Sequence, residues 1–213
     1  MSALPQHIEE TEELEAQYGR WEYKGVIPVP KQDFWVFGYG SLIWHPGFPY
    51  KDVKVARVFG YHREFCVEST VYRGTPENPG LVMGLLPGGQ VVGRAFKVNS
   101  RDASATIEYL ERRELRFEAY QVKWLRASLC DDRTVNVLTF VMDHRSPSLA
   151  RCAKGNQLTT NEIVRRLGSC KGHAGSNREY LDQVCDCLAA EGVALGELGE
   201  LQRRVSAKYP KSS

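Results

Sequence analysis

The run Phe34-Trp35-Val36-Phe37-Gly38-Tyr39-Gly40-Ser41-Leu42-Ile43-Trp44 sets an apolar stretch suited to a buried strand directly against two glycines and a serine. Two chemistries are written this way. One is a nucleotide-binding loop, but G-x-G-x-x-G would need its third glycine where Ile43 stands and a helix straight after it. His45-Pro46-Gly47 interrupts any such helix, so the dinucleotide reading fails. The other is a strand ending in a turn, where glycine permits unusual dihedrals. A run of exposed backbone amides in that turn is a suitable cradle for a carboxylate or an oxyanion.

A second candidate lies in Thr106–Phe117, TIEYLERRELRF. At about 100° per residue, Ala103, Ile107, Leu110 and Phe117 share one face, and Glu114 projects between Ile107 and Leu110. An inward carboxylate has two readings. It is either half of a buried salt bridge, with Arg73 or Arg94 as partner, or a general base whose pKa burial raises toward neutrality. Glu108 projects away from the stripe, Glu111 onto its rim, and Arg112 and Arg113 elsewhere, which predicts solvated or pairing charges. Glu118 projects near Glu114 but falls where the helix should be ending.

The third candidate is the loop Arg73-Gly74-Thr75-Pro76. It offers Arg73 to a carboxylate, with Ser69 and Thr75 as hydroxyl donors, or it is simply a polar connection shaped by Pro and Gly. Cys185-x-Cys187 lacks the second pair that a zinc site needs, and the histidines form no metal-spaced cluster, with His62 and His173 reading as structural. No metal site is expected.

The elements that must position these groups are mostly strands. Phe34–Gly38, then VKVARVFGYHREFCVES, then GLVMGLL and QVVGRAFKV joined across Pro87-Gly88-Gly89, read as β with a hairpin at that Pro-Gly-Gly. YQVKWLRASL and TVNVLTFVMD flank a further hairpin at Cys130–Arg133. Helices follow Ser100 as N-cap and two capping boxes, Thr159–Glu162 and Ser176–Glu179. Tyr180, Val184 and Leu188 then recur every four residues until Gly192 stops the last of these helices. The order predicts an α+β domain on a curved or closed, mainly antiparallel sheet. The division expected is a partly ordered N-terminal extension over 1–32, a domain over 33–192, and a tail or helix over 193–213.

Composition narrows the partners. The chain has 213 residues, 42% hydrophobic and 25% charged, with a net charge of +2, which favours neither nucleic acid nor an anionic membrane and leaves a small molecule. The start of the chain carries many carboxylates and no apolar core, so no signal peptide is expected, and no segment is long and apolar enough to span a membrane. Six scattered cysteines in a chain of this length suit a reducing cytosol better than a disulfide framework.

Taken in order, Phe37-Gly38-Tyr39-Gly40-Ser41-Leu42-Ile43-Trp44, Arg73-Gly74-Thr75, Tyr109-Leu110 with Arg113-Glu114, and Gly175-Ser176-Asn177-Arg178-Glu179-Tyr180-Leu181 resemble the ChaC-type γ-glutamylcyclotransferases. The resemblance runs from about Phe34 to about Leu188. It implies a γ-glutamylcyclotransferase-like fold, a small mixed, mainly antiparallel β-barrel with flanking helices. It also implies cleavage of glutathione to 5-oxoproline and cysteinylglycine without metal or organic cofactor. On this reading Tyr39, Gly40, Ser41 and Leu42 resemble the loop that holds the γ-glutamyl group, Glu114 the acid/base, and Arg73 and Tyr180 pocket residues. Two alternatives stay open: the same chemistry on another γ-glutamyl compound, and a non-catalytic γ-glutamyl-binding module. The oligomeric state is not legible.

Overall fold

A computed structural model describes residues 22–150 and 157–210. Most of the expected N-terminal arm (1–21), Cys152 and the last three residues lie outside the described residues.

Strands β1 (Phe34–Gly38), β2 (Asp52–Ser69), β3 (Gly80–Val98), β4 (Tyr120–Leu129) and β5 (Thr134–Met142) close a barrel in the order β1-β3-β2-β4-β5. Every pairing is antiparallel except β1 with β5, where Trp35 sits opposite Val137 and Val36 opposite Leu138. That parallel seam makes the barrel mixed. All five positions of β1 are buried. Trp35 and Phe37 join one apolar cluster, while Phe34 and Val36 join another that includes Ile107 and Leu110, so both faces of the strand are covered.

Pro87-Gly88-Gly89 is not a hairpin. β3 runs through it as one strand, and the β2–β3 register shifts between Phe59 and Tyr61, with Phe59 opposite Gln90 and Tyr61 opposite Pro87. Gly60, Gly88 and Gly89 take φ of +84°, +102° and +71°, which lets both strands bend at a bulge where a proline costs no ladder bond. The hairpin tip is instead residues 70–79. The Cys130–Arg133 turn forms as expected, with the Leu129 amide donating to the Arg133 carbonyl at 2.8 Å.

Helix α1 (Ala103–Leu115) buries Ala103, Ile107 and Leu110 against the barrel wall and ends before Phe117. Ser100 is not its cap. Asn99 accepts from the Arg101 amide and starts a 3-10 turn, Ser100–Asp102, that leads into α1. Helices α2 (Thr160–Ser169) and α3 (Asn177–Ala190) each carry the expected capping box, and Gly192 closes α3 at φ +70° as the Val193 amide reaches the Leu188 carbonyl at 3.0 Å. Between them lies a small ribbon, β6 (Lys171–Gly172) and β7 (Gly175–Ser176). Helix α4 (Glu197–Lys208) follows, with Val205 buried in the same cluster as Leu167, Leu181 and Val184. Among the described residues no helix is long and apolar enough to cross a membrane.

Candidate active site

Three elements meet at one end of the barrel: the turn after β1, the last turn of α1, and the start of α3. The turn tightens as a 3-10 segment, Ser41–Ile43, in which the Ile43 amide donates to the Gly40 carbonyl at 3.0 Å and the His45 amide to the Ser41 carbonyl at 3.0 Å. The space around Gly40 requires glycine. A Cβ there would stand 2.8 Å from the Tyr180 hydroxyl and 3.3 Å from Met83 Cβ. Tyr39 is buried, its hydroxyl donating to the Phe140 carbonyl at 2.8 Å. Leu42 points away into the α1 cluster, so only its backbone is available to a ligand.

Glu114 occupies the final turn of α1 with a side chain 15% exposed. Burial pushes its carboxyl above the ordinary carboxylate range, and the adjacent guanidinium of Arg113 offsets only part of that rise. Of the two sequence readings of Glu114, the ion pair is present, but with a partner other than Arg73 or Arg94. Arg113 Nε lies 3.1 Å from Glu114 Oε1. Arg94 instead donates to Glu191 and to the Ile43 carbonyl, and Arg73 to the Ser176 carbonyl.

Of the two alternatives expected for the charges on α1, Arg113 takes the pairing one and is not a solvated charge. It donates through Nη1 to the His45 carbonyl and the Tyr109 hydroxyl, both at 2.7 Å, and through Nη2 to Ser41 Oγ at 2.8 Å. A long arginine side chain reaches back over the helix end, where projection of its Cα alone misplaces the charge. Glu111 is not on a rim either. It is fully buried, because the segment before β1 crosses the outer face of α1 and the Ile27 amide donates to Glu111 Oε1 at 2.6 Å.

Arg73 is 9% exposed and lies 5.5 Å from the centroid of the Tyr180 ring. The hydroxyls expected beside it are committed to the loop itself: Ser69 Oγ accepts from the Arg73 amide at 3.0 Å and Thr75 Oγ1 from the Asn78 amide at 3.2 Å. Tyr180, on the first turn of α3, accepts from the Met83 amide at 3.3 Å, and burial raises its phenol to about 12. The sequence reading missed Tyr120. Its hydroxyl donates to the Met83 carbonyl at 2.8 Å, and burial, then Tyr39 and Glu114, hold its phenol well above the usual value. Its position at the first residue of the strand after α1 was the available signal.

At one end of the closed mixed barrel the structure thus sets a half-buried carboxylate of raised pKa near the turn after β1 and the buried phenols of Tyr39, Tyr120 and Tyr180. The chain belongs to the ChaC-like protein family, whose model matches residues 34–208. It is 32% identical over 147 residues to the glutathione-specific gamma-glutamylcyclotransferase of Escherichia coli (strain K12), an alignment covering 69% of this chain and 62% of that one. It is 33% identical over 161 residues to the human glutathione-specific gamma-glutamylcyclotransferase 1, covering 74% and 70%. Among solved structures, a selenomethionine-labelled glutathione-specific γ-glutamyl cyclotransferase from yeast superimposes with a TM-score of 0.75 at 22% identity, covering 84% of this chain and 98% of that one. The barrel is thus the fold of a γ-glutamylcyclotransferase.

Proposed function

We propose that the protein is a glutathione-specific γ-glutamylcyclotransferase, splitting glutathione into 5-oxoproline and cysteinylglycine in the cytosol. The observation that carries this reading is the pairing of an acid/base carboxylate of raised pKa, Glu114, with the Ser41 turn through one guanidinium. The names of the E. coli and human relatives support the substrate. Free thiols at Cys66, Cys130, Cys170, Cys185 and Cys187 support a reducing compartment.

The chemistry needs little machinery. The substrate's α-amine attacks its own γ-carbonyl, closing a five-membered ring as the bond to the cysteine nitrogen breaks. Holding the chain in a near-attack conformer supplies much of the acceleration, since intramolecular orientation is worth up to about 7–11 kcal/mol. With Oε1 held by Arg113, Glu114 takes one proton from the ammonium to free the nucleophile and passes it to the departing nitrogen, and the second proton that the attacking nitrogen loses as the lactam forms follows the same route, so the amine of cysteinylglycine leaves as an ammonium. Amides of the turn, with the Tyr180 hydroxyl beside Gly40, stabilise the oxyanion that develops on the γ-carbonyl. Atoms balance without water or any co-reactant.

That balance provides the test. In water enriched with oxygen-18, the 5-oxoproline produced should carry no label. Labelled glutamate as the product would mean hydrolysis and would sink the cyclisation mechanism.

A further inference from the structure

We propose that Arg113 is a positioning residue: a single guanidinium that locks the Ser41 turn onto the end of α1, so that the Glu114 carboxylate and the turn's amides are held in one register. The proposal rests on the cyclotransferase reading given above. Four contacts carry it. Nη2 donates to Ser41 Oγ at 2.8 Å, Nη1 to the His45 carbonyl and the Tyr109 hydroxyl at 2.7 Å, and Nε pairs with Glu114 Oε1 at 3.1 Å. No single one of these groups sees both halves of the site, whereas the planar fork of arginine fixes all of them at once. Tyr109 adds a second anchor, because Gly47 leaves room for its hydroxyl and a Cβ there would lie 2.0 Å from it.

The same guanidinium is the cation that faces Glu114. The other titratable groups around the carboxylate are phenols and a thiol: Tyr39 at the end of β1, Tyr120 on β4, Tyr180 on α3, and Cys66 on β2, which faces two of those phenols. Burial is the leading cause that holds all four above their usual values, with the thiol at about 12, so they stay neutral at physiological pH. Arg73 and Arg63 both face Tyr180. Burial opposes the charge on Arg113, but Glu114 and Tyr109 outweigh it and keep the group protonated. Removing that charge should therefore raise the Glu114 pKa further and move the acid limb of the rate profile upward.

The experiment uses the full chain with Arg113→Gln and Arg113→Lys, reading kcat and KM for glutathione across pH, with circular dichroism for folding. Arg113→Gln should lower kcat at least tenfold, leave KM within about threefold, and shift the acid limb upward by half a pH unit or more. Arg113→Lys keeps a charge but cannot span Ser41, His45 and Tyr109 together. It should lose kcat by a similar factor while its acid limb stays near that of the parent. A folded Arg113→Gln protein with the parental kcat and acid limb overturns the proposal. If Gln does not fold, the Lys variant decides, and parental kcat there overturns it equally. Carbon-13 NMR titration of the Glu114 carboxyl separates the two readings. An upward midpoint in Arg113→Gln with no turnover by the parent would keep the positioning role and reject the enzyme reading. An unmoved midpoint with an active parent would do the reverse.

Discussion

The Tyr180 hydroxyl stands where a side chain on Gly40 would have to go, 2.8 Å from a Cβ built at that position. The turn after β1 and the first turn of α3 therefore interlock, and that lock is specific to a missing methyl group.

Gly40→Ala should push against Tyr180 and Met83, costing about 1–3 kcal/mol as an overpacked site and lowering activity at least tenfold. Tyr180→Phe removes the offending oxygen, at the loss of the Met83 amide's acceptor. The double variant should be more stable than the sum of the singles, measured by urea unfolding as a positive coupling. Strict additivity would mean that the two residues do not share the space described.

The acid limb of kcat/KM should lie above the ordinary carboxylate range of about 4–4.5, because burial raises Glu114 and the base must be ionised to act. The same shift has a sign for stability. A carboxyl whose folded pKa exceeds its unfolded value binds more protons in the native state, so its contribution declines as pH rises through that window. Glu114→Gln should consequently be at least as stable as the parent at neutral pH and lose that advantage toward pH 4. Thermal unfolding across pH checks it, and a parent that gains stability relative to the variant as pH rises would contradict it.

Glu111 holds the segment before β1 against α1 through the Ile27 amide. Glu111→Ala should orphan a buried N–H and cost about 1–3 kcal/mol, with faster hydrogen exchange at Ile27 than in the parent. Glu111→Gln, which keeps an acceptor, should recover most of that loss. Equal stability of the alanine variant and the parent would show that the contact holds nothing.

The two glycines of the β2–β3 hairpin that differ in surroundings should respond differently to alanine. Gly60 has φ +84° and open space around it, so Gly60→Ala meets only backbone strain of about 1–2 kcal/mol. Gly93 would place its Cβ 2.2 Å from the Gly38 carbonyl oxygen, so Gly93→Ala should cost more and loosen β1 from β3. Denaturation midpoints rank the pair, and the reverse order would contradict the packing.

Much of this was legible in the sequence because the signals were local. Apolar runs suited to strands gave the barrel strands, and the paired Thr159–Glu162 and Ser176–Glu179 spacing gave two helix starts that form as written. Glu114 was legible because an inward carboxylate breaks an apolar stripe. What failed was non-local. Pro87-Gly88-Gly89 has the composition of a turn, and only its pairing with Tyr61 and Phe59 makes it a bulge. Glu111 projects onto the rim of the stripe and Arg113 elsewhere, and the contacts each makes depend on what crosses α1 from elsewhere: Ile27 for Glu111 and the Ser41 turn for Arg113. Tyr120 joins the site through Met83, a residue on a strand distant in sequence.

The most direct measurement is mass-spectrometric detection of 5-oxoproline and cysteinylglycine after reduced glutathione is incubated with the purified protein, beside Glu114→Gln and with γ-glutamyl-alanine as a second substrate. The expected result is both products from glutathione, little from γ-glutamyl-alanine, and a loss of at least a thousandfold in the folded variant. Undiminished products from Glu114→Gln, or none from well-folded parent protein, would contradict the account.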